Sequence, residues 1–181
     1  LALRLIKSIR AFGYAYNVYL DDRLYVESIR AENEEYARRA GVDLLQVEDM
    51  VTFLQEHARR PLKIVALRDG PQLDTLEAAI RQEVGEGVYT TRSLPHYLEM
   101  LNPEVNKARG LQALAELEGI RPQEIMVFGD SYNDLQMFRY AGLAVAMANA
   151  PAEVQAAADY VTVSNNDGGV ALALGKFILG G

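Results

Sequence analysis

Ile125-Met126-Val127-Phe128-Gly129-Asp130-Ser131-Tyr132-Asn133-Asp134 is an apolar run that stops abruptly at a Gly-Asp and is followed four residues on by a second aspartate. A short continuous apolar run reads as a strand covered on both faces, and ligands of open α/β sheets gather beyond the carboxyl ends of such strands. Asp130 therefore falls where chemistry is usually done. If a helix starts between Asp130 and Asp134, both carboxylates can project toward one point above the sheet. Two hard oxygen ligands at a sheet edge suit Mg²⁺, which takes carboxylates together with water and substrate phosphate. Asn133 adds an amide able to orient either group. A plainer role is also open, because Asp and Ser at a strand-to-helix junction commonly cap the helix.

Working outward from this stretch, helix and strand alternate regularly from about Asn102 onward. Leu111, Leu114 and Leu117 are expected to face inward on a helix ending near Gly119. After the strand at Ile125 to Phe128 come a helix over Leu135 to Tyr140, a strand over Leu143 to Met147 and a helix over Val154 to Ala157. A strand over Tyr160 to Val163 and a last helix over Val170 to Ile178 complete the pattern. This is a doubly wound α/β arrangement around a parallel sheet. Lys107 stands at the start of the helix before the Asp130 strand, beside free backbone N–H groups and the positive helix end, where a lysine gains no stability. Such a placement suits phosphate binding, although an exposed lysine is the ordinary expectation. Asn149, in Ala146-Met147-Ala148-Asn149-Ala150-Pro151, ends another strand at the same sheet edge and reads as an N-cap or as a loop residue closing the site, capping being the expected role. Asn165-Asn166-Asp167-Gly168-Gly169 reads as a turn and cap without catalysis.

The first hundred residues have a different texture. Ala2, Leu5, Ile6 and Ile9 share a helical face ended by Gly13. Tyr14 to Leu20 and Leu24 to Val26 form a hairpin through Asp21-Asp22-Arg23. Ala31 to Arg39 is a short solvated helix with Arg38-Arg39 on its wet face. Val47, Val51, Leu54 and Ala58 mark a helix broken by Pro61, and Leu62 to Leu67 is a buried strand. Leu73, Leu76, Ile80 and Val84 mark another helix, followed by strands over Val88 to Arg92 and Tyr97 to Leu101. The reading is an α+β module over residues 1–100, with its leading linker helix, and an α/β part over residues 101–181. Arg68-Asp69-Gly70 imitates half of a nucleophile loop but lacks a second aspartate two positions on. The tyrosines of the first hairpin, Tyr14, Tyr16 and Tyr19, could line a pocket, though period-two aromatics more often face a core.

Composition narrows the function. Half of the 181 residues are apolar, enough to bury a core, and the formal net charge of −7 argues against a nucleic-acid surface. The absence of cysteine excludes disulfides, zinc-thiolate sites and thiol nucleophiles, and fits a cytoplasmic, reducing setting. His57 and His96 lie too far apart in sequence to pair by spacing, and no stretch is long and apolar enough for a bilayer, so no membrane partner is expected.

Lys107, the Ile125–Asp134 stretch and Ala141-Gly142-Leu143-Ala144-Val145-Ala146-Met147-Ala148-Asn149-Ala150 together resemble the haloacid dehalogenase superfamily, specifically its Cof-type phosphatases (subfamily IIB). The resemblance extends through Ala156-Ala157-Ala158-Asp159-Tyr160-Val161-Thr162 and Asp167-Gly168-Gly169-Val170. The first hundred residues are similar in layout only, to the α+β cap which that subfamily inserts into its core. The resemblance implies a fold made of the C-terminal part of a doubly wound parallel sheet plus the cap. It implies that Lys107 binds the transferring phosphate, that Asp130 ligates Mg²⁺, that Asn133 contacts substrate or phosphate, and that Asp134 is a supporting acidic residue beside the metal. Ala108 stands where the family usually has glycine after the lysine.

The resemblance also implies a nucleophilic and an acid/base aspartate on an Asp-x-Asp strand, and no Asp-x-Asp occurs in these 181 residues. With Leu1 in first place, the chain is expected to be the later part of a longer phosphomonoester hydrolase acting on a small phosphorylated metabolite such as a sugar phosphate or phosphorylated cofactor. Alone, it is expected to be inactive and to expose an unpaired sheet edge with an apolar patch. A non-catalytic binding module derived from such an enzyme, and a sugar phosphomutase, are the alternatives.

Overall fold

The computed structural model describes residues 1–56 and 60–180, which divide into two compact units, Leu1–Pro103 and Glu104–Gly181. The elements of the first unit run in the order α1 (Ala2–Phe12), β1 (Ala15–Leu20), β2 (Arg23–Val26), α2 (Ala31–Ala40), β3 (Leu44–Gln46), α3 (Met50–Glu56), β4 (Lys63–Leu67), α4 (Gly70–Val84), β5 (Tyr89–Leu94) and β6 (Tyr97–Leu101). Their six strands form one sheet in the order β3-β2-β1-β4-β6-β5, antiparallel except for the β2–β3 pair.

Strand alternation sends Tyr16, Val18, Leu20, Ile64, Ala66, Leu98 and Met100 to one face. There they meet Leu5, Ile6 and Ile9 of α1, Met50 and Leu54 of α3, and Leu73, Leu76 and Ile80 of α4. Each fully buried aliphatic side chain of this set is worth about 1.5–3 kcal/mol, so three helices with two or three such residues each are enough to fix that face. The opposite face is covered by α2, whose Tyr36 and Ala37 pack on Ala15, Leu24, Val65, Leu67 and Tyr97. A buried amide pair fastens α2 down: Asn33 Nδ2 donates to Asn17 Oδ1 at 2.8 Å and to the Tyr16 carbonyl at 3.1 Å. The β1–β2 turn places Asp21 and Asp22 at φ of 50° and 58°, left-handed backbone that Asp tolerates better than most residues.

Two sequence expectations change here. Val47 lies outside α3, which begins at Met50 because Val47 donates its N–H to the Val26 carbonyl and so extends the sheet. Leu44–Gln46, not expected as a strand, pairs in parallel with β2. Ala58, the fourth residue of the expected helical series, and His57 lie outside the described residues.

The second unit comprises α5 (Lys107–Glu118), β7 (Met126–Gly129), α6 (Leu135–Tyr140), β8 (Leu143–Ala146), α7 (Ala152–Ala156), β9 (Tyr160–Val161) and α8 (Gly169–Phe177). Its three strands are parallel in the order β7-β8-β9. Val127, Phe138, Ala144, Ala146, Ala150 and Val154 form its core. The expectation that Leu111, Leu114 and Leu117 all face inward is corrected. Leu111 packs against the core, whereas Leu114 is 55% and Leu117 80% exposed. The buried stripe of α5 runs instead through Leu111 and Ala115, and among the described residues nothing covers the Leu114–Leu117 side. On its other edge β7 pairs with no strand among the described residues.

Candidate active site

β7 ends at Gly129, and a short 3₁₀ turn over Tyr132–Asp134 leads into α6. This turn brings Asp134 back under the end of its own strand. Asp134 Oδ2 accepts from the backbone N–H of Asp130 at 3.0 Å and of Ser131 at 3.1 Å, so the carboxylate satisfies donors that the chain reversal would otherwise orphan. Gly129 makes room for it. A Cβ there would lie 2.6 Å from Asp134 Cβ and 2.7 Å from Phe138 Cε1, so only glycine lets the two pack against the strand end.

Lys107 is the first residue of α5, after Asn106, whose Oδ1 accepts from Arg109 N–H at 3.0 Å. With a donor of that helix end already capped, the Lys107 side chain is directed to Asp134: its Nζ donates to Asp134 Oδ1 in a short ion pair and lies 3.5 Å from Asn133 Oδ1. The pair is asymmetric, the carboxylate side chain being 3% exposed and the lysine 50%. Two backbone amides and an ammonium offset the desolvation of the buried charge, and the solvent-facing half of the ammonium keeps donors available. Lys107, Asn133 and Asp134 are thus brought together by contact.

Asp130 is different. Its side chain is exposed beyond the strand end, with Asn149 Nδ2 at 3.4 Å from Oδ2. Asn149 Oδ1 in turn accepts from the backbone N–H of Asn165 at 2.9 Å. This corrects the expected capping role of Asn149: Pro151 occupies the N-cap position of α7, and the Asn149 amide bridges two loops instead. The parallel register explains it, since Gly129 pairs with Ala146 and the segments following β7 and β8 leave the sheet side by side. Asn165–Asp167 is the expected turn before α8, its Ser164 hydroxyl accepting from Asn166 N–H at 3.2 Å.

A divalent cation needs donors that are not already committed. Both oxygens of Asp134 are engaged, while Asp130 presents an exposed carboxylate at the sheet edge. Among the described residues no cluster of three His, Asp or Glu side chains is arranged to hold a metal ion. A single exposed carboxylate is a donor that Mg²⁺ can share with water and phosphate oxygens.

A model of the haloacid dehalogenase-like hydrolase family matches residues 1–174. Putative phosphatase YxeH of Bacillus subtilis is 39% identical over 117 residues, 65% of this chain and 43% of that protein. The Escherichia coli protein named 5-amino-6-(5-phospho-D-ribitylamino)uracil phosphatase YbjI is 37% identical over 103 residues, 57% of this chain and 38% of its own. The crystal structure of TM0651 from Thermotoga maritima superposes with a TM-score of 0.75 at 34% identity, covering 97% of this chain and 65% of that one. The chain thus spans about half or less of the curated relatives and about two thirds of the solved structure. The family match runs through both units and includes the stretch holding Lys107, Asp130 and Asp134, so the chain belongs to the haloacid dehalogenase-like hydrolases.

Proposed function

We propose that this chain is the phosphate-binding and cap-bearing part of a Mg²⁺-dependent phosphomonoester hydrolase, with Leu1–Pro103 as the cap and Glu104–Gly181 as the later part of the core. The observation that carries the reading is the Lys107–Asp134 pair at the carboxyl end of a parallel strand, next to the exposed carboxylate of Asp130. A half-exposed ammonium anchored by a buried carboxylate is a preorganised positive charge, which stabilises phosphoryl oxygens as negative charge builds on them and needs no reorganisation to do so. In this reading Asp134 acts through Lys107, which it holds in place, and would meet a metal only by releasing one of its present partners. Asn133, whose Oδ1 faces Lys107, turns its amide donors to the bound phosphate.

Asp130 is the side chain that would hold Mg²⁺, and the bound ion would supply Lewis-acid neutralisation of the phosphoryl group. Asn149 orients Asp130 from the side. The family resemblance implies an aspartyl-phosphate formed on an Asp-x-Asp strand. These 181 residues contain no such motif, so in this reading the nucleophile lies outside them and the 181-residue chain by itself turns over no phosphomonoester. Small phosphorylated sugars, polyols or cofactors are the proposed substrates, in keeping with the phosphoribityl substrate in the name of the Escherichia coli relative. No helix among the described residues is long and apolar enough to cross a membrane, and together with the lack of cysteine this supports a cytoplasmic setting.

The test is p-nitrophenyl phosphate hydrolysis, with and without Mg²⁺, by the 181-residue chain and by the same chain joined to an upstream strand ending in Asp-x-Asp. Hydrolysis confined to the extended protein with Mg²⁺, and lost in Lys107→Met, is the expected result. An extended, folded protein that hydrolyses no phosphomonoester leaves the non-catalytic binding module as the reading, and conversion of a sugar bisphosphate in place of hydrolysis makes it a mutase.

A further inference from the structure

The chain holds two Asp-Gly steps, Asp69-Gly70 and Asp167-Gly168. At such a step the glycine nitrogen meets no side chain of its own residue on its way to the aspartate Cγ, and a turn about the aspartate ψ brings the two together. That turn swings the aspartate carbonyl with it, because the peptide unit is rigid. At Asp69 the carbonyl is held: it accepts from the N–H of Gln72 at 3.1 Å and of Leu73 at 3.2 Å as α4 begins. Gly70 is half-buried, and a Cβ there would lie 3.5 Å from the Pro95 carbonyl oxygen. Asp167 has no such restraint. Its N–H donates to the Ser164 carbonyl at 2.9 Å, but its own carbonyl and carboxylate accept no hydrogen bond among the described residues. Gly168 is exposed, has left-handed backbone at φ 75°, and has nothing within 4 Å of the place a Cβ would take.

We propose that Asp167-Gly168 is a site of spontaneous covalent modification, at which Asp167 isomerises to isoaspartate, and that the change reaches Asp130 through Asn149. The Gly168 nitrogen attacks Asp167 Cγ and a C–N bond forms. The Cγ–OH bond breaks, and the hydroxyl leaves with the nitrogen's proton as water, closing a succinimide ring. Water then adds to one of the two ring carbonyls. Addition at Cγ restores aspartate. Addition at the main-chain carbonyl breaks its bond to the Gly168 nitrogen, which takes a proton back, and leaves the chain running through Cγ with one extra methylene. Nothing is oxidised or reduced, and water is the only co-reactant. The residue after the step is fixed: buried Gly169 has its carbonyl bound by Thr162 Oγ1 at 2.9 Å, and a Cβ on it would lie 2.3 Å from the Val163 carbonyl oxygen. The added length is therefore taken up by the exposed residues 165–167. There the Asn165 N–H donates to Asn149 Oδ1 at 2.9 Å, and Asn149 Nδ2 lies 3.4 Å from Asp130 Oδ2.

The experiment is to age the folded 181-residue chain at neutral pH in H₂¹⁸O, where each succinimide that hydrolyses leaves an ¹⁸O atom in its peptide, and to locate the label by fragmentation mass spectrometry. Ring closure at Asp69 first has to break the two hydrogen bonds on its carbonyl. Label and isoaspartate are therefore expected to accumulate at Asp167 roughly tenfold faster than at Asp69, or more. Equal rates at the two steps, or no label at Asp167, overturn the site. NMR of the ¹⁵N-labelled chain reads the transmission. New peaks for the Asn149 side-chain amide and the Asn165 N–H are expected to grow in step with isoaspartate, and to be absent from aged Asp167→Glu, whose longer side chain closes a larger ring more slowly. Unchanged Asn149 peaks in the isomerised chain, or the same new peaks in Asp167→Glu, overturn the transmission. That isomerisation also weakens Mg²⁺ binding rests on the reading of Asp130 above. A fresh chain that gives no Mg²⁺ response counts against that reading alone, because the label and the new peaks are read without metal.

Discussion

Lys107 and Asp134 form an ion pair in which the carboxylate is buried and the ammonium is half in water. The carboxylate is also the acceptor for two backbone amides, so the partners should not contribute equally to stability. Asp134→Asn puts an amide against those N–H donors and releases the lysine, and is expected to cost about 2–3 kcal/mol. Lys107→Met leaves the carboxylate its two amides and loses a half-screened contact, at about 1–2 kcal/mol. Urea unfolding of both variants checks the order. A larger loss for Lys107→Met would show that the lysine, and not the amide cradle, holds Asp134 in place.

Gly129→Ala introduces a methyl group 2.6 Å from Asp134 Cβ and 2.7 Å from Phe138 Cε1. Overpacking of this kind costs about 1–3 kcal/mol. The same displacement moves Asp134 away from Lys107, so the variant should show both a lower melting temperature and altered amide shifts at Lys107 and Ser131. A lower melting temperature with those shifts unchanged would mean that Phe138 alone yields.

Glu77 on α4 supplies a pH dependence. Burial opposes its ionisation, but the Thr90 hydroxyl and the Arg81 and Arg92 guanidinium groups outweigh it, holding the carboxyl below its ordinary value of 4.5. A carboxyl depressed in the folded state stabilises the fold above its unfolded pKa, and that contribution is lost as the pH falls through the folded value. Glu77→Gln should therefore be less stable than the parent at pH 7, and the difference should close as the pH is lowered below about 4.5. Melting temperatures of both proteins between neutral and acid pH decide it, and a gap that persists in acid would assign the effect to packing.

The β1–β2 turn holds two successive aspartates in left-handed backbone, the conformation of a two-residue type I′ hairpin. Glycine adopts it freely at the second position. Asp22→Gly is expected to raise stability by about 0.5–1 kcal/mol and to leave the β1–β2 register unchanged. A fall in the melting temperature would indicate that the Asp22 side chain has a role the backbone does not reveal.

Elements with a strong period or a hard stop were legible in the sequence. The Leu135–Tyr140 helix and the β7 run ending at Gly129 are legible to within a residue, because an apolar run cut by Gly-Asp leaves little choice of ending. β3 was not legible, since three residues are too few to show alternation and their pairing with β2 is decided by tertiary contact. Leu114 and Leu117 misled for a related reason. Their spacing is helical, but which stripe of α5 is buried depends on what packs against it, and Leu111 meets the core and Ala115 is buried while both of these leucines are exposed. At the site, Asp130, Asn133 and Asp134 could be grouped from spacing, whereas Lys107 joined them only through the family resemblance, and its contact with Asp134 spans 27 residues. The contact of Asn149 with Asp130 spans 19 residues and depends on the β7–β8 register, which no local pattern encodes.

The Asn149 amide has a consequence for how the site can be observed. One end of it lies beside the Asp130 carboxylate, and the other accepts the backbone proton of Asn165, in the turn before α8. An ion or phosphate that recruits Asp130 competes for the Asn149 Nδ2 and disturbs the grip of Oδ1 on that proton. The solvent exchange rate of the Asn165 amide is thus an intrinsic reporter of occupancy at Asp130, readable without any label on the site itself.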